Sequence, residues 1–259
     1  MATNPTPPFF ILGCVRSGTT LLRDLLRRHP NLASPEETQF YRWPSPFGTE
    51  LYRHAVLKNV VLKKHRQIDG FTEEEFERIL AASNSRAGFY LRYMKAYISR
   101  HKPGAQRWFD KSPQNVYGAA MIAAEFPKAK FVHIVRNPMD VVSSLRIGKI
   151  VKVAEVVGAC SYWNEAAEMI FVLKRAFPGR VYEVKYEDFT SDLLPQLEKL
   201  LAFLGEDFDP AHFQDIGTRT VRHEHATLFS DQEREQIERL CARWMKHYAY
   251  APAGRPAPV

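Results

Sequence analysis

The sequence predicts an α/β fold, a three-layer arrangement in which a central parallel sheet is flanked by helices, and three observations carry that reading. Short apolar runs recur along the 259 residues, and each feeds a segment with helical periodicity. The strongest run, "KFVHIV" at 130–135, is almost continuously apolar, as a strand buried on both faces must be. The first run ends in a glycine-bounded loop that opens a helix, in "FFILGCVRSGTTLLRDLLRRHP" at 9–30.

Taken in order, Phe9 to Leu12 reads as a buried strand that stops at Gly13. Beyond the loop, Leu21, Leu22, Leu25 and Leu26 form one stripe, with Arg23, Asp24, Arg27 and Arg28 on the solvated face, so an amphipathic helix runs to Pro30. Residues 40–105 form a longer, mostly helical insertion expected to shape a pocket. Its Phe47, Tyr52, Phe89, Tyr90 and Tyr93 fit such a pocket or the core equally well. Within it Thr72 and Glu75 have capping-box spacing, with Phe71 and Phe76 as a hydrophobic staple. Further strands are expected at 107–110, 130–135 and 181–186, with helices at 119–125, 138–146, 155–177 and 193–204. "SDQE" at 230–233 repeats the capping box before a last helix. One domain is expected over 8–250, with Pro-rich, flexible tails at 1–7 and 251–259.

Composition narrows the function without naming it. With 45% hydrophobic and 25% charged residues the chain is ordinary globular protein. No window approaches the roughly 20 apolar residues of a membrane span. "MATNPTPP" has neither the basic start nor the apolar core of a signal peptide. Cys14, Cys160 and Cys241 are scattered singly, without metal-ligand or disulfide-framework spacing, which suits a soluble protein of a reducing cytoplasm and no metal site. The net charge of +7 favours an anionic ligand.

The loop gives that anion a place. A nucleoside-triphosphate loop reads G-x-x-x-x-G-K-[ST], with backbone N–H groups around the phosphates, Lys on the terminal phosphates and a hydroxyl on magnesium. Here Gly13 and Gly18 keep the spacing and Thr20 keeps the hydroxyl, but Thr19 stands in the Lys position and the loop's cation is Arg16. The cradle Arg16-Ser17-Gly18-Thr19-Thr20 therefore reads as P-loop-like, with its triphosphate apparatus altered; the plainer alternative is a glycine turn with an incidental arginine. A second constellation, "IVRNPMDVVSSL", puts Arg136 at the end of the best strand and Ser144 two helical turns further on, which suits a second phosphate at the strands' C-terminal edge. Its alternative is a surface pair of Arg136 with Asp140 and an exposed Ser144.

The two motifs together resemble the family of sulfotransferases that use 3′-phosphoadenosine-5′-phosphosulfate (PAPS). The resemblance implies that Arg16 to Thr20 bind the 5′-phosphosulfate and that Arg136 and Ser144 bind the 3′-phosphate. A donor without β- and γ-phosphates needs neither the missing lysine nor magnesium. The run "RSGTTLLRDLLRRHPNLASPEET" is similar to the tyrosylprotein sulfotransferase branch and to many bacterial members. It implies catalytic roles for Arg16 and Glu37. Lys111 in "FDKSPQN" matches the family's lysine near the sulfonate, and Tyr186 in "VKYEDF" fits a recurring motif, as a contact or as a helix entry. Arg219, Arg222 and His223 are candidates for a cofactor lid. The implied activity is O-sulfation of a hydroxyl acceptor, a small molecule, glycan, lipid or peptide, with release of adenosine 3′,5′-bisphosphate (PAP); no nucleic-acid partner is implied. A P-loop nucleotide kinase and a non-catalytic nucleotide binder are the alternatives. His133 reads as a core residue before a base, and Cys14 as a small buried residue before a reactive thiol.

Overall fold

The computed structural model describes residues 6–148, 151–214 and 229–250. Five strands, β1 (Phe9–Leu12), β2 (Leu32–Ala33), β3 (Arg107–Lys111), β4 (Lys130–Val135) and β5 (Val181–Lys185), form one sheet in the order β2-β3-β1-β4-β5. Every pairing is parallel, as for Phe9 with Phe109 and Leu12 with His133.

The strands' two-residue period separates two cores. Phe9 and Ile11 pack with Leu22, Leu25 and Leu26 of α1 (Thr19–Leu26), while Phe10 and Leu12 point into the opposite cluster. The α1 side is completed by α9 (Tyr186–Ser191) and α10 (Leu193–Leu204). The other layer holds α5 (Arg86–His101), α6 (Ala119–Glu125), α7 (Pro138–Arg146), α8 (Val156–Ala176) and α11 (Asp231–His247). This is the three-layer α/β arrangement that the sequence predicts.

The insertion is helical: α2 (Glu50–Lys58), α3 (Val60–Ile68), α4 (Glu73–Ala81) and α5. Tyr52, Phe89, Tyr90 and Tyr93 settle into the core, at most 2% exposed, while Phe47 is partly buried against it. At α4 Thr72 Oγ1 caps the Glu75 amide at 3.1 Å, but the Glu75 carboxylate turns to Arg100 at 2.7 Å instead of closing a box. At α11 both halves of the Ser230–Glu233 box are present. Element ends differ from expectation by a residue or so, as where β5 stops at Lys185 and Tyr186 begins α9, and β2 is an unexpected strand whose two residues carry too few side chains to give a period.

Candidate active site

The site stands on the C-terminal ends of β1, β3 and β4, the edge where parallel sheets bind ligands. Between β1 and α1 the backbone enters the left-handed region three times, at Gly13 (φ 138), Arg16 (φ 71) and Gly18 (φ 95). The two glycines flank an arginine whose own φ is left-handed, the kind of backbone outlier that persists where function requires it. No side chain caps α1, so the first N–H groups of the helix face the loop with their hydrogen-bonding capacity unspent. Ser17 Oγ is buried with no oxygen or nitrogen partner among the described residues. Those donors fit an oxyanion.

The loop is moulded by its neighbours. A Cβ on Gly13 would stand 2.6 Å from Cδ2 of His133, and one on Gly18 would run into the Tyr186 ring. Tyr186 is thus both the first residue of α9 and a wall of the loop. It also meets the Arg136 guanidinium, which lies 4.6 Å from the ring centre.

Arg16 joins the two motifs: its Nε donates to Ser144 Oγ at 2.8 Å. Ser144 is buried, not exposed. Arg136 Nε lies 3.6 Å from Asp140 Oδ2, so that pair exists, but its side chains are 14% and 4% exposed and it is no surface ion pair.

Lys111 ends β3 and points at the segment after β2. Its Nζ donates to Glu37 Oε1 and to Thr20 Oγ1, the latter at 3.2 Å. Gln39 Nε2 donates to Glu37 Oε2 at 3.3 Å. Arg16, Thr19, Thr20, Glu37 and Lys111 line one cavity of about 430 Å³. Arg136, Ser144 and Tyr186 lie outside its lining, and Arg16 links Ser144 to it.

Glu36 has a different fate from Glu37. It accepts from Arg23 at 2.6 Å and Arg27 at 3.1 Å. Burial alone would raise its pKa, but the two guanidiniums hold it below the usual carboxylate range. Arg23, placed by periodicity on a solvated face, is 6% exposed for this reason. Arg23, Gln39, Arg42 and His65 also line the cavity and went unrecognised in the sequence; the proximity of Gln39 to Glu37 was the one available signal.

Beneath Lys111 lies Asp110, fully buried; burial pushes its carboxyl up to about 6, against hydrogen bonds from Ser112, Tyr90 and the Thr38 amide. Cys14 is buried, and burial drives its thiol far above its ordinary range, in keeping with a small buried residue rather than a reactive thiol. His133 is a buried residue whose Nδ1 lies 3.3 Å from Glu183 Oε1. Arg219, Arg222 and His223 lie outside the described residues.

The model of the sulfotransferase family matches residues 7–210. The chain belongs to the sulfotransferase family. Among sulfotransferase relatives, a protein-tyrosine sulfotransferase of Drosophila melanogaster is 27% identical over 210 residues, covering 79% of this chain and 39% of that protein. A putative protein-tyrosine sulfotransferase of Caenorhabditis briggsae is 24% identical, covering 79% of this chain and 67% of that protein. An uncharacterized protein of Aquifex aeolicus is 30% identical over 203 residues, 76% of this chain but only 25% of its own length. The chain therefore spans between a quarter and two thirds of these relatives. Among solved structures, the sulfotransferase domain of the Synechococcus PCC 7002 olefin synthase superposes with a TM-score of 0.65 at 26% identity, covering 100% of this chain and 92% of that one. A mouse sulfotransferase complexed with PAP has the same fold at 14% identity, with a TM-score of 0.53, covering 94% and 86%. Among the described residues no helix is long and apolar enough to cross a membrane.

Proposed function

We propose that this sulfotransferase moves the sulfonate of PAPS to a hydroxyl acceptor and releases PAP. The observation that carries the proposal is the convergence of Arg16, Thr20, Lys111 and Glu37 on one cavity, with Arg16 bonded to Ser144 of the second motif. The mouse fold neighbour, solved with PAP, supports the same choice of donor.

Each residue has a task in this reading. The loop amides, Ser17 and the N-terminus of α1 hold the 5′-phosphosulfate. Arg136 and Ser144 hold the 3′-phosphate, and Tyr186 supports both by contact with Gly18 and Arg136. Glu37 takes the acceptor proton as the sulfur–oxygen bond forms. Lys111 and Arg16 stabilise the charge that gathers on the sulfonate and the departing phosphate, an electrostatic task suited to fixed cations in a partly closed cavity. The three cysteines are unbridged, which suits a reducing compartment.

The test is incubation with ³⁵S-labelled PAPS and a panel of phenols, sugars, lipids and peptides. Label in an acceptor together with PAP is the expected result. Labelled PAPS that is bound but never consumed points to a non-catalytic binder, and magnesium-dependent ATP turnover points to a kinase.

A further inference from the structure

The segment that carries Glu37 has no regular secondary structure, so no ladder fixes its backbone. Side chains of one short motif do so instead. The Thr38 amide donates to Asp110 Oδ1 at 3.4 Å, the Gln39 amide to Ser112 Oγ at 3.0 Å and the Tyr41 amide to Asn115 Oδ1 at 3.0 Å. Asn115 Nδ2 in turn donates to Asp110 Oδ2 at 3.1 Å, which ties two of these acceptors together. All three are buried, with Asp110, Ser112 and Asn115 each at 0% exposure. Buried polar side chains that are fully engaged fix a single geometry, because every alternative leaves a donor or acceptor unpaired.

The motif also supplies Lys111, which lies between Asp110 and Ser112 and donates to Glu37 Oε1. One six-residue stretch, "DKSPQN", thus carries the cation that meets Glu37 and the acceptors that hold the backbone beside Glu37. Gln39 completes the arrangement from the held segment itself. Its backbone takes a left-handed φ of 53°, and its amide donates to Glu37 Oε2 while accepting from Arg42 at 3.0 Å.

We infer that Asp110, Ser112 and Asn115 are positioning residues for the Glu37–Lys111 pair, setting the rate of sulfonate transfer while leaving donor binding to the loop and to Arg136. The inference rests on the proposed role of Glu37 as base. A displacement of a reacting group by about 1 Å costs on the order of a hundredfold in rate, so loosening this backbone has room to act.

The experiment compares the wild-type chain with Ser112→Ala, Ser112→Thr, Glu37→Gln and the Ser112→Ala/Glu37→Gln double variant. Turnover is read with ³⁵S-PAPS and the best acceptor of the panel, PAP affinity by calorimetry and folding by thermal melting. Ser112→Ala removes one hydroxyl and no charge, and Asn115→Ala is the second variant should Ser112→Ala unfold. Expected are a kcat about ten- to a hundredfold lower for Ser112→Ala, PAP affinity within about twofold of wild type, recovery in Ser112→Thr, and a double variant no slower than Glu37→Gln alone. Unchanged turnover in Ser112→Ala overturns the inference, as does a Ser112→Ala loss that persists in full on top of Glu37→Gln, or PAP affinity that falls in step with kcat. A wild-type chain that transfers sulfonate to nothing in the panel overturns the reading of the whole site, and this inference with it. Normal turnover in Glu37→Gln alone refutes the base and leaves the sulfotransferase reading standing.

Discussion

Glu36 and Glu37 are consecutive in the chain and end in separate ion pairs, Glu36 with Arg23 and Arg27 of α1, Glu37 with Lys111 of β3. Substituting the two should therefore damage different properties. Glu37→Gln is expected to lower turnover by about 10²- to 10⁴-fold with little change in melting temperature. Glu36→Gln leaves two partly buried guanidiniums short of a carboxylate, at a cost of about 1–3 kcal/mol in stability. Parallel measurements of kcat and melting temperature on both variants check this, and equal turnover losses would argue against Glu37 as the base.

The donor should stabilise the fold and ATP should not. PAP or PAPS at a hundred times its dissociation constant adds about 2.7 kcal/mol to the folded state. A clear melting shift is expected with PAP and a far smaller one with ATP and magnesium, by calorimetry or dye fluorescence. A shift confined to ATP and magnesium would favour the kinase alternative.

Arg136 stacks on Tyr186, pairs with Asp140 and does not line the cavity, so its loss should weaken donor binding more than chemistry. A charge-assisted phosphate contact is worth roughly 1.5–3 kcal/mol. Arg136→Ala is expected to raise KM for PAPS at least about tenfold while kcat moves less, read from initial rates over a PAPS series.

Gly18 has no room for a side chain, because a Cβ there meets the Tyr186 ring and φ is already 95°. Gly18→Ala should abolish PAP binding by calorimetry while the sheet still melts cooperatively. Binding that survives would show that the loop can shift away from α9.

Acid should find Glu183. Burial raises its pKa, but hydrogen bonds from His133, Lys174 and Tyr248 outweigh burial and hold it at about 2, against an ordinary 4.5. A depressed carboxylate stabilises the fold above its unfolded pKa, and that contribution is lost as pH falls from about 4.5 toward 2, roughly 3 kcal/mol in all. Stability measured by urea unfolding should fall across that window in wild type, and Glu183→Gln should show a lower plateau with a shallower acid limb.

What the sequence made legible was local. The β1 run, the Gly13–Gly18 spacing, the Leu stripe of α1 and the capping box at Ser230 each lie within one stretch of chain and obey a single periodicity or turn rule. What stayed hidden was pairing across the sheet edge. Arg23 has the pattern of a solvated helix face and is buried because Glu36, on the segment after β2, comes to meet it. Ser144 looks like an exposed hydroxyl until Arg16, 128 positions away, donates to it. The backbone anchors in "DKSPQN" carry no periodic signature, since each serves an amide of a different part of the chain.

The place of β1 in the sheet bears on how the protein is made. β1 is hydrogen-bonded on one side to β3 and on the other to β4, both of which leave the ribosome long after it. Until they emerge, the nascent chain carries Phe9 to Leu12 as a bare apolar strand with two open edges, a target for chaperones and for misassociation. The loop that reads first in the sequence is therefore completed only after β4, the second of its flanking strands, has been made. Truncated translation products ending before β4 would carry every loop residue and still lack the platform that shapes the loop.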